Sequence, residues 1–140
     1  MSIKPEWVKH IFLNCDKIYE VRKRAPLLNP PYKVYVYCTK SEPELYVHDI
    51  FGERILNGKV CGEFTCTKHI EVEPPFHGKS KGTCVTDAML VDYAGGETLT
   101  YLEITNPVLY GAMKDITDYS ATRQPMSWQY VNEVEDGRMG

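Results

Sequence analysis

The sequence predicts an α+β, mainly β fold: a small β-barrel or curled sheet with short helices at its ends. Three observations carry the prediction. Several short segments alternate apolar and polar side chains, helical periodicity is confined to two brief stretches, and Pro, Gly and Asn turn signals recur between them. An open doubly wound sheet is disfavoured, because its strands would read as continuous apolar runs joined by crossover helices. The 140 residues suit one domain spanning residues 1–140, and 43% hydrophobic with 25% charged residues is a balance that builds a core and excludes wholesale disorder. No apolar run approaches the ~18 residues of a membrane span, and the start, Met1-Ser2-Ile3-Lys4-Pro5-Glu6, lacks the apolar core of a signal peptide. A soluble cytoplasmic protein without membrane partners is expected.

The elements follow in order. Ile3, Trp7 and Ile11 recur every four residues with Val8 and Phe12 beside them, which predicts an amphipathic helix with Ser2 as its N-cap and Pro5 in its first turn. Asn14-Cys15-Asp16 breaks that period. Residues 17–22 then read as a strand with Tyr19 and Val21 on one face and Glu20 and Arg22 on the other. After Pro26 and Pro30-Pro31, residues 33–39 alternate strictly: Val34, Val36 and Cys38 oppose Lys33, Tyr35, Tyr37 and Thr39. Residues 41–57 lose the pattern and read as a long connection with one helical turn.

Residues 59–67 resume the alternation, with Val60, Gly62, Phe64 and Cys66 against Lys59, Cys61, Glu63, Thr65 and Thr67. Residues 73–82, dense in Pro, Gly and Lys, predict a mobile loop. Thr86 or Asp87 caps a short helix carrying Met89, Leu90 and Tyr93 and stopped by Gly95-Gly96. Strands are expected at 98–105, 108–111 and 128–131, with a polar turn region around 115–125.

Charge is uneven along the chain. Residues 1–40 hold eight Lys/Arg against three acids, and the remaining hundred hold eight against sixteen, so the formal net charge of −3 hides a basic first third. A polyanion would therefore meet this protein locally. The five cysteines, at positions 15, 38, 61, 66 and 84, contain no C-x-x-C pair and point to reduced thiols. Cys61, Cys66, His69 and His77 have a metal-like spacing, but residues five apart on a strand face opposite ways, so no metal and no cofactor is expected.

The densest polar cluster is Lys17-Ile18-Tyr19-Glu20-Val21-Arg22-Lys23-Arg24. It resembles the G-x-K-x-x-E-x-R signature of the ASCH domain, a branch of the PUA-like β-barrel superfamily. The family lysine falls on Lys17, the glutamate on Glu20 and the arginine on Arg22, while the leading glycine falls on Cys15. Residues 3–7, 34–40, 58–64 and 124–128 extend the likeness, which is to the small ASCH proteins carried by phages and prophages. The resemblance implies a PUA-like barrel whose cleft is lined by the motif residues, and RNA as the partner. In some relatives it implies cleavage of single-stranded RNA, in others deacetylation of acetylcytidine nucleosides. The deacetylating branch uses a lysine, a threonine three residues later and a distant strand glutamate. Here Glu20 replaces that threonine, and Glu63 is the candidate for the distant carboxylate.

The residue chemistry allows two uses of this cluster. Lys17 and Glu20, with Glu63, are candidate acid/base groups if a partly desolvated cleft shifts their proton affinities. Arg22 alternatively clamps a phosphate, with Lys17, Lys23 and Arg24 adding charge and Tyr35 and Tyr37 offering rings on which bases stack. Glu20 and Arg22 as a rim ion pair, and Tyr35 and Tyr37 as core beneath residues 41–57, are the structural alternatives. Lys79 and Lys81 either close over a ligand or stay solvated. No P-loop, dinucleotide, G-x-S-x-G or H-E-x-x-H motif occurs. Binding of RNA or a nucleotide-like small molecule is the expectation, hydrolysis in the same cleft the alternative, and docking to a host protein a third.

Overall fold

A computed structural model describes residues 1–115; the expected strand at 128–131, most of the turn region before it and the run 124–128 lie outside the described residues. The elements run β1 (Ser2–Ile3), α1 (Pro5–Phe12), β2 (Tyr19–Arg22), β3 (Tyr32–Cys38), β4 (Tyr46–Asp49), β5 (Gly52–Ile55), β6 (Lys59–Val72), α2 (Asp87–Ala94) and β7 (Leu99–Lys114). Five strands form one sheet in the order β1-β3-β6-β7-β2, and β4 and β5 form a separate hairpin. Among the described residues only β1 and β3 pair in parallel; every other pairing is antiparallel.

The α+β, mainly β class holds, but among the described residues the sheet is not closed into a barrel. Its edge strands β1 and β2 share no ladder. They are joined instead by a side chain, because the Arg22 guanidinium on β2 donates to the Ser2 carbonyl on β1 at 2.9 Å. The sheet is therefore curled far enough to bring its two edges together, and an open seam remains between them.

Both faces of the sheet are covered over much of their area. Val34, Val36, Phe64, Leu102 and Ile104 form the main core with Val8, Ile11 and Phe12 of α1 and with Leu45, Val47 and Leu56 around the hairpin. On the opposite face, Leu99 and Tyr101 pack with Phe76 and with Leu90 and Ala94 of α2. Alternation along β7 feeds the two cores in turn, as a period of two requires.

Local rules explain most elements. Pro5 sits at the start of α1, but its N-cap is Lys4, since Ser2 is occupied in β1 opposite Tyr37. The Thr86 hydroxyl accepts from the Met89 N–H, and Gly95 in the left-handed conformation ends α2. Residues 41–57 hold a hairpin in place of the expected connection with a helical turn. Tyr46-Val47-His48-Asp49 is a short alternating strand with Val47 buried, and the Asp49 carboxylate shapes its turn by accepting from the Phe51 N–H and from Arg54.

The strands expected at 98–105 and 108–111 are one strand, β7. Glu63 pairs with Val108 and Thr65 with Thr105, so an irregularity absorbs Asn106, at φ 50°, and Pro107, which has no N–H to donate. The 73–82 loop is present and is pinned: the Tyr101 hydroxyl donates to the Lys79 carbonyl, and Gly82 accepts from the Ile18 and Tyr19 N–H groups.

Candidate functional site

The open seam between β1 and β2 is a cleft of about 990 Å³. Ser2, Ile3 and Lys4 form one wall with Trp7 of α1, residues 20–24 form the floor and far wall, and Met89, Leu90 and Tyr93 of α2 close one end. Lys17, Glu20, Arg22, Lys23 and Arg24 all line it. Five cationic side chains face three acidic ones there, so the fold gathers five of the eight Lys/Arg of the first forty residues at the cleft, while Lys9, Lys33 and Lys40 lie elsewhere.

Lys17 is placed by the turn that ends α1. Cys15, standing where the signature has glycine, has φ 55°, the left-handed conformation that glycine adopts without cost. Cys15 itself adopts that conformation. The Lys17 side chain then runs inward until it is only 2% exposed, 3.7 Å from the Glu20 carboxylate, with its ammonium 5.4 Å from the centre of the Trp7 ring. It donates to the Thr83 carbonyl. Burial holds this ammonium below the usual lysine range, and the charge of Glu20 works against that shift.

Glu20 lies opposite Leu102 on the core-facing side of the sheet, which is why a carboxylate here is 5% exposed. Arg22 shares that face by the two-residue strand period and donates to Glu20 through Nε at 2.9 Å, with Nη2 at 2.6 Å. Two of its nitrogens are thus committed to Glu20 and Ser2, and its side chain is 11% exposed. Arg22 shapes the cleft, whereas Lys4, Lys23 and Arg24 stand exposed on its rim. The Lys23 ammonium lies 5.2 Å from the Tyr93 ring.

The remaining expected site residues are elsewhere. Glu63 is not among the residues lining the cleft; it faces away from Phe64, accepts from the Tyr110 hydroxyl at 2.8 Å and lies 3.5 Å from Lys33. Tyr37 is buried with Val60, and Tyr35 packs beside them. These tyrosines share the face they were expected to share, but that face is turned away from the cleft. Lys79 donates to the Glu73 carbonyl, and neither Lys79 nor Lys81 lines the cleft. Of the spaced Cys and His residues, Cys61 and Cys66 are buried, His69 meets the Tyr32 hydroxyl and exposed His77 faces Asp87, so the four do not form a metal cluster.

Two groups that line the cleft, Trp7 and Tyr93, and one buried behind it, Thr83, carry no signal in the sequence that marks them as site residues. Trp7 falls on the apolar stripe of α1, yet it is half-exposed over Lys17. Thr83 contributes through its backbone carbonyl, which no residue pattern announces. Tyr93 reaches the cleft only because α2 packs across the end of the seam.

A curled, mainly antiparallel sheet with two short helices is a fold shared with solved ASCH proteins. The chain is similar to the crystal structure of ASCH from Zymomonas mobilis, with a TM-score of 0.71 and 17% identity over 99% of this chain and 90% of that one. Two single-substitution variants of that Zymomonas mobilis protein match at the same TM-score and 16% identity, over 99% of this chain and 93% and 91% of theirs. No family model and no curated protein matches the sequence. The likeness is one of fold, and it agrees with the ASCH fold that the sequence resemblance implies. No helix among the described residues is long and apolar enough to cross a membrane.

Proposed function

We propose that this chain is an ASCH-type module that binds single-stranded RNA, or a nucleotide presented like one, in the seam between β1 and β2. The observation that carries the reading is the composition of that cleft. Its floor is a fixed cluster of buried Lys17 and Glu20 with the partly buried Arg22, and its rim pairs exposed cations, Lys4, Lys23 and Arg24, with the rings of Trp7 and Tyr93. Cations satisfy phosphates at any sequence, and exposed rings stack on unpaired bases, which a single strand offers and a duplex does not.

The test is fluorescence anisotropy with short single-stranded RNA at several salt concentrations. Binding is expected to weaken steeply with salt, and the Lys23→Ala/Arg24→Ala pair is expected to lower both the affinity and the salt slope. Affinity that ignores salt, or that the double variant leaves unchanged, refutes this reading.

A specific observation also favours hydrolysis in the same cleft. A desolvated ammonium 3.7 Å from a buried carboxylate is a pair able to pass a proton to and from a bound substrate. The substrate would be an RNA phosphodiester or an acyl group on a nucleobase. Turnover lost in both Lys17→Ala and Glu20→Gln, with RNA affinity retained, identifies the catalytic version; turnover that survives both removes it.

A further inference from the structure

Behind the wall of the cleft lies a second cluster. His10 of α1, Asp16 in the turn that follows and Cys84 in the segment before α2 bring one ligand atom each within 4.8 Å of one another. Among the described residues no other three His, Cys, Asp or Glu side chains converge in this way. His10 Nδ1 lies 2.8 Å from Asp16 Oδ1, and Cys84 Sγ lies 3.7 Å from the same oxygen.

The arrangement is imposed by the backbone on both sides. The His10 carbonyl accepts from the N–H groups of Asp16 and Lys17 at 3.1 and 3.4 Å, which folds Asp16 back over the helix end. The His10 ring is held against Trp7, with centroids 6.1 Å apart and planes 28° from parallel. Cys84 is brought in from far along the chain, in a segment anchored where Gly82 accepts from Ile18 and Tyr19.

We infer that His10, Asp16 and Cys84 form a binding site for a divalent zinc-type transition metal. An imidazole, a carboxylate and a thiolate are a borderline-to-soft donor set, which suits Zn²⁺ or Co²⁺ and disfavours Mg²⁺ and Ca²⁺, whose shells are built from oxygens. With bonds of about 2.0–2.3 Å, a tetrahedral ion spaces neighbouring donors roughly 3.3–3.5 Å apart. The Asp16–Cys84 separation of 3.7 Å needs to close slightly and the His10–Asp16 separation of 2.8 Å to open by about half an ångström, with Cys84 Sγ, within 4.8 Å of the His10 nitrogen, drawn toward the ion; partly exposed side chains allow these shifts. Binding replaces the thiol S–H bond with a metal–sulfur bond and releases the proton to solvent. Three protein ligands leave a fourth position for water.

The position of the ligands gives the ion a task. Asp16 immediately precedes Lys17, and Cys84 immediately follows Thr83, whose carbonyl accepts from the Lys17 ammonium. An ion joining Asp16 to Cys84 clamps together the two segments that hold the cleft lysine. The site stands whether the cleft binds RNA or hydrolyses it.

The experiment titrates the reduced, metal-stripped full chain with Zn²⁺ by calorimetry and with Co²⁺ by absorption spectroscopy. One equivalent is expected to bind, Co²⁺ is expected to show a thiolate-to-metal charge-transfer band, and saturating Zn²⁺ is expected to raise the melting temperature. Cys84→Ser is expected to abolish the band, and Cys84→Ser and His10→Asn are each expected to weaken Zn²⁺ binding at least tenfold. His10 is on the helix surface, so its variant reports on the ligand set independently of how Cys84→Ser folds. Cys15→Ser is expected to keep the band. A band lost in Cys15→Ser, the absence of a band in the wild type, or Zn²⁺ affinity unchanged in both ligand variants overturns the site.

Discussion

Arg22 donates to Glu20 across a spacing of two residues on one strand, with Nη2 of the guanidinium 2.6 Å from the carboxylate, and the same nitrogen reaches the Ser2 carbonyl at 2.9 Å. The pair sits on the side of β2 that meets the main core, where two charges are costly to hold unless each is matched. It also bridges the two edges that backbone pairing leaves apart. One side chain therefore neutralises a buried carboxylate, sets the width of the cleft and joins the ends of the sheet.

Arg22→Ala is expected to destabilise the fold by about 3 kcal/mol, because Glu20 is left buried without its closest ion-pair partner, with the Lys17 ammonium 3.7 Å away. Urea denaturation measures the effect. A cost below about 1 kcal/mol is the value of an exposed pair and would mean that water reaches the seam.

Lys17 makes stability depend on pH in a definite direction. Its folded pKa is depressed below the 10.5 of an exposed lysine, chiefly by burial. As pH rises through the folded value toward 10.5, the folded state sheds this proton before the unfolded state does, so stability rises; below that window the ammonium must be held buried and charged. Subtracting the profile of Lys17→Met from that of the wild type isolates the residue from the buried thiols, whose titration acts oppositely. The difference is expected to move in favour of the wild type with alkaline pH and to level off above 10.5. A flat difference would show Lys17 to be solvated.

Gly62→Ala is expected to be among the more damaging single-methyl additions in the sheet. A Cβ at this position meets the Val108 carbonyl oxygen at 2.5 Å and the Phe12 ring at 2.8 Å, and the first of these is backbone in the adjacent strand. Either β6 and β7 separate or α1 lifts, at a cost of about 2–3 kcal/mol. Thermal unfolding of the variant checks this; Gly78→Ala, with nothing near its Cβ, is the comparison for a glycine at positive φ without crowding.

RNA affinity is expected to separate the two aromatic faces. Tyr93→Ala removes a ring at the end of the cleft and is expected to weaken binding by about 1–2 kcal/mol, the scale of one stacked base. Tyr35→Ala and Glu63→Gln, on the face turned away, are expected to leave affinity within about twofold. Anisotropy measured on all three variants decides whether the seam or the outer face carries the ligand.

Much of the local structure is legible in the chain. Strict alternation over residues 33–39 produces β3, Thr86 and Gly95 delimit α2, and the spacing of Glu20 and Arg22 alone requires their side chains to share a face. The hairpin at 46–55 is hidden because each of its strands is only four residues long, too short for alternation to stand out beside Pro43 and Gly52. The continuity of β7 is hidden because Asn106-Pro107 carries the signature of a turn, whereas pairing with β6 on both sides of it, Glu63 with Val108 and Thr65 with Thr105, holds it as an irregularity within one strand.

Which side chains are neighbours along the chain is settled by the residues themselves: a period of two along a strand and a left-handed turn at Cys15 are local matters of backbone geometry. What those neighbours face is settled only by the folded molecule. Whether Glu20 points into a core or into water, whether Tyr37 stacks on a ligand or on Val60, and whether His10 meets Cys84 depend on which surfaces the curled sheet covers. That covering is set by the sum of apolar contacts over the whole chain, and no single stretch of residues contains it.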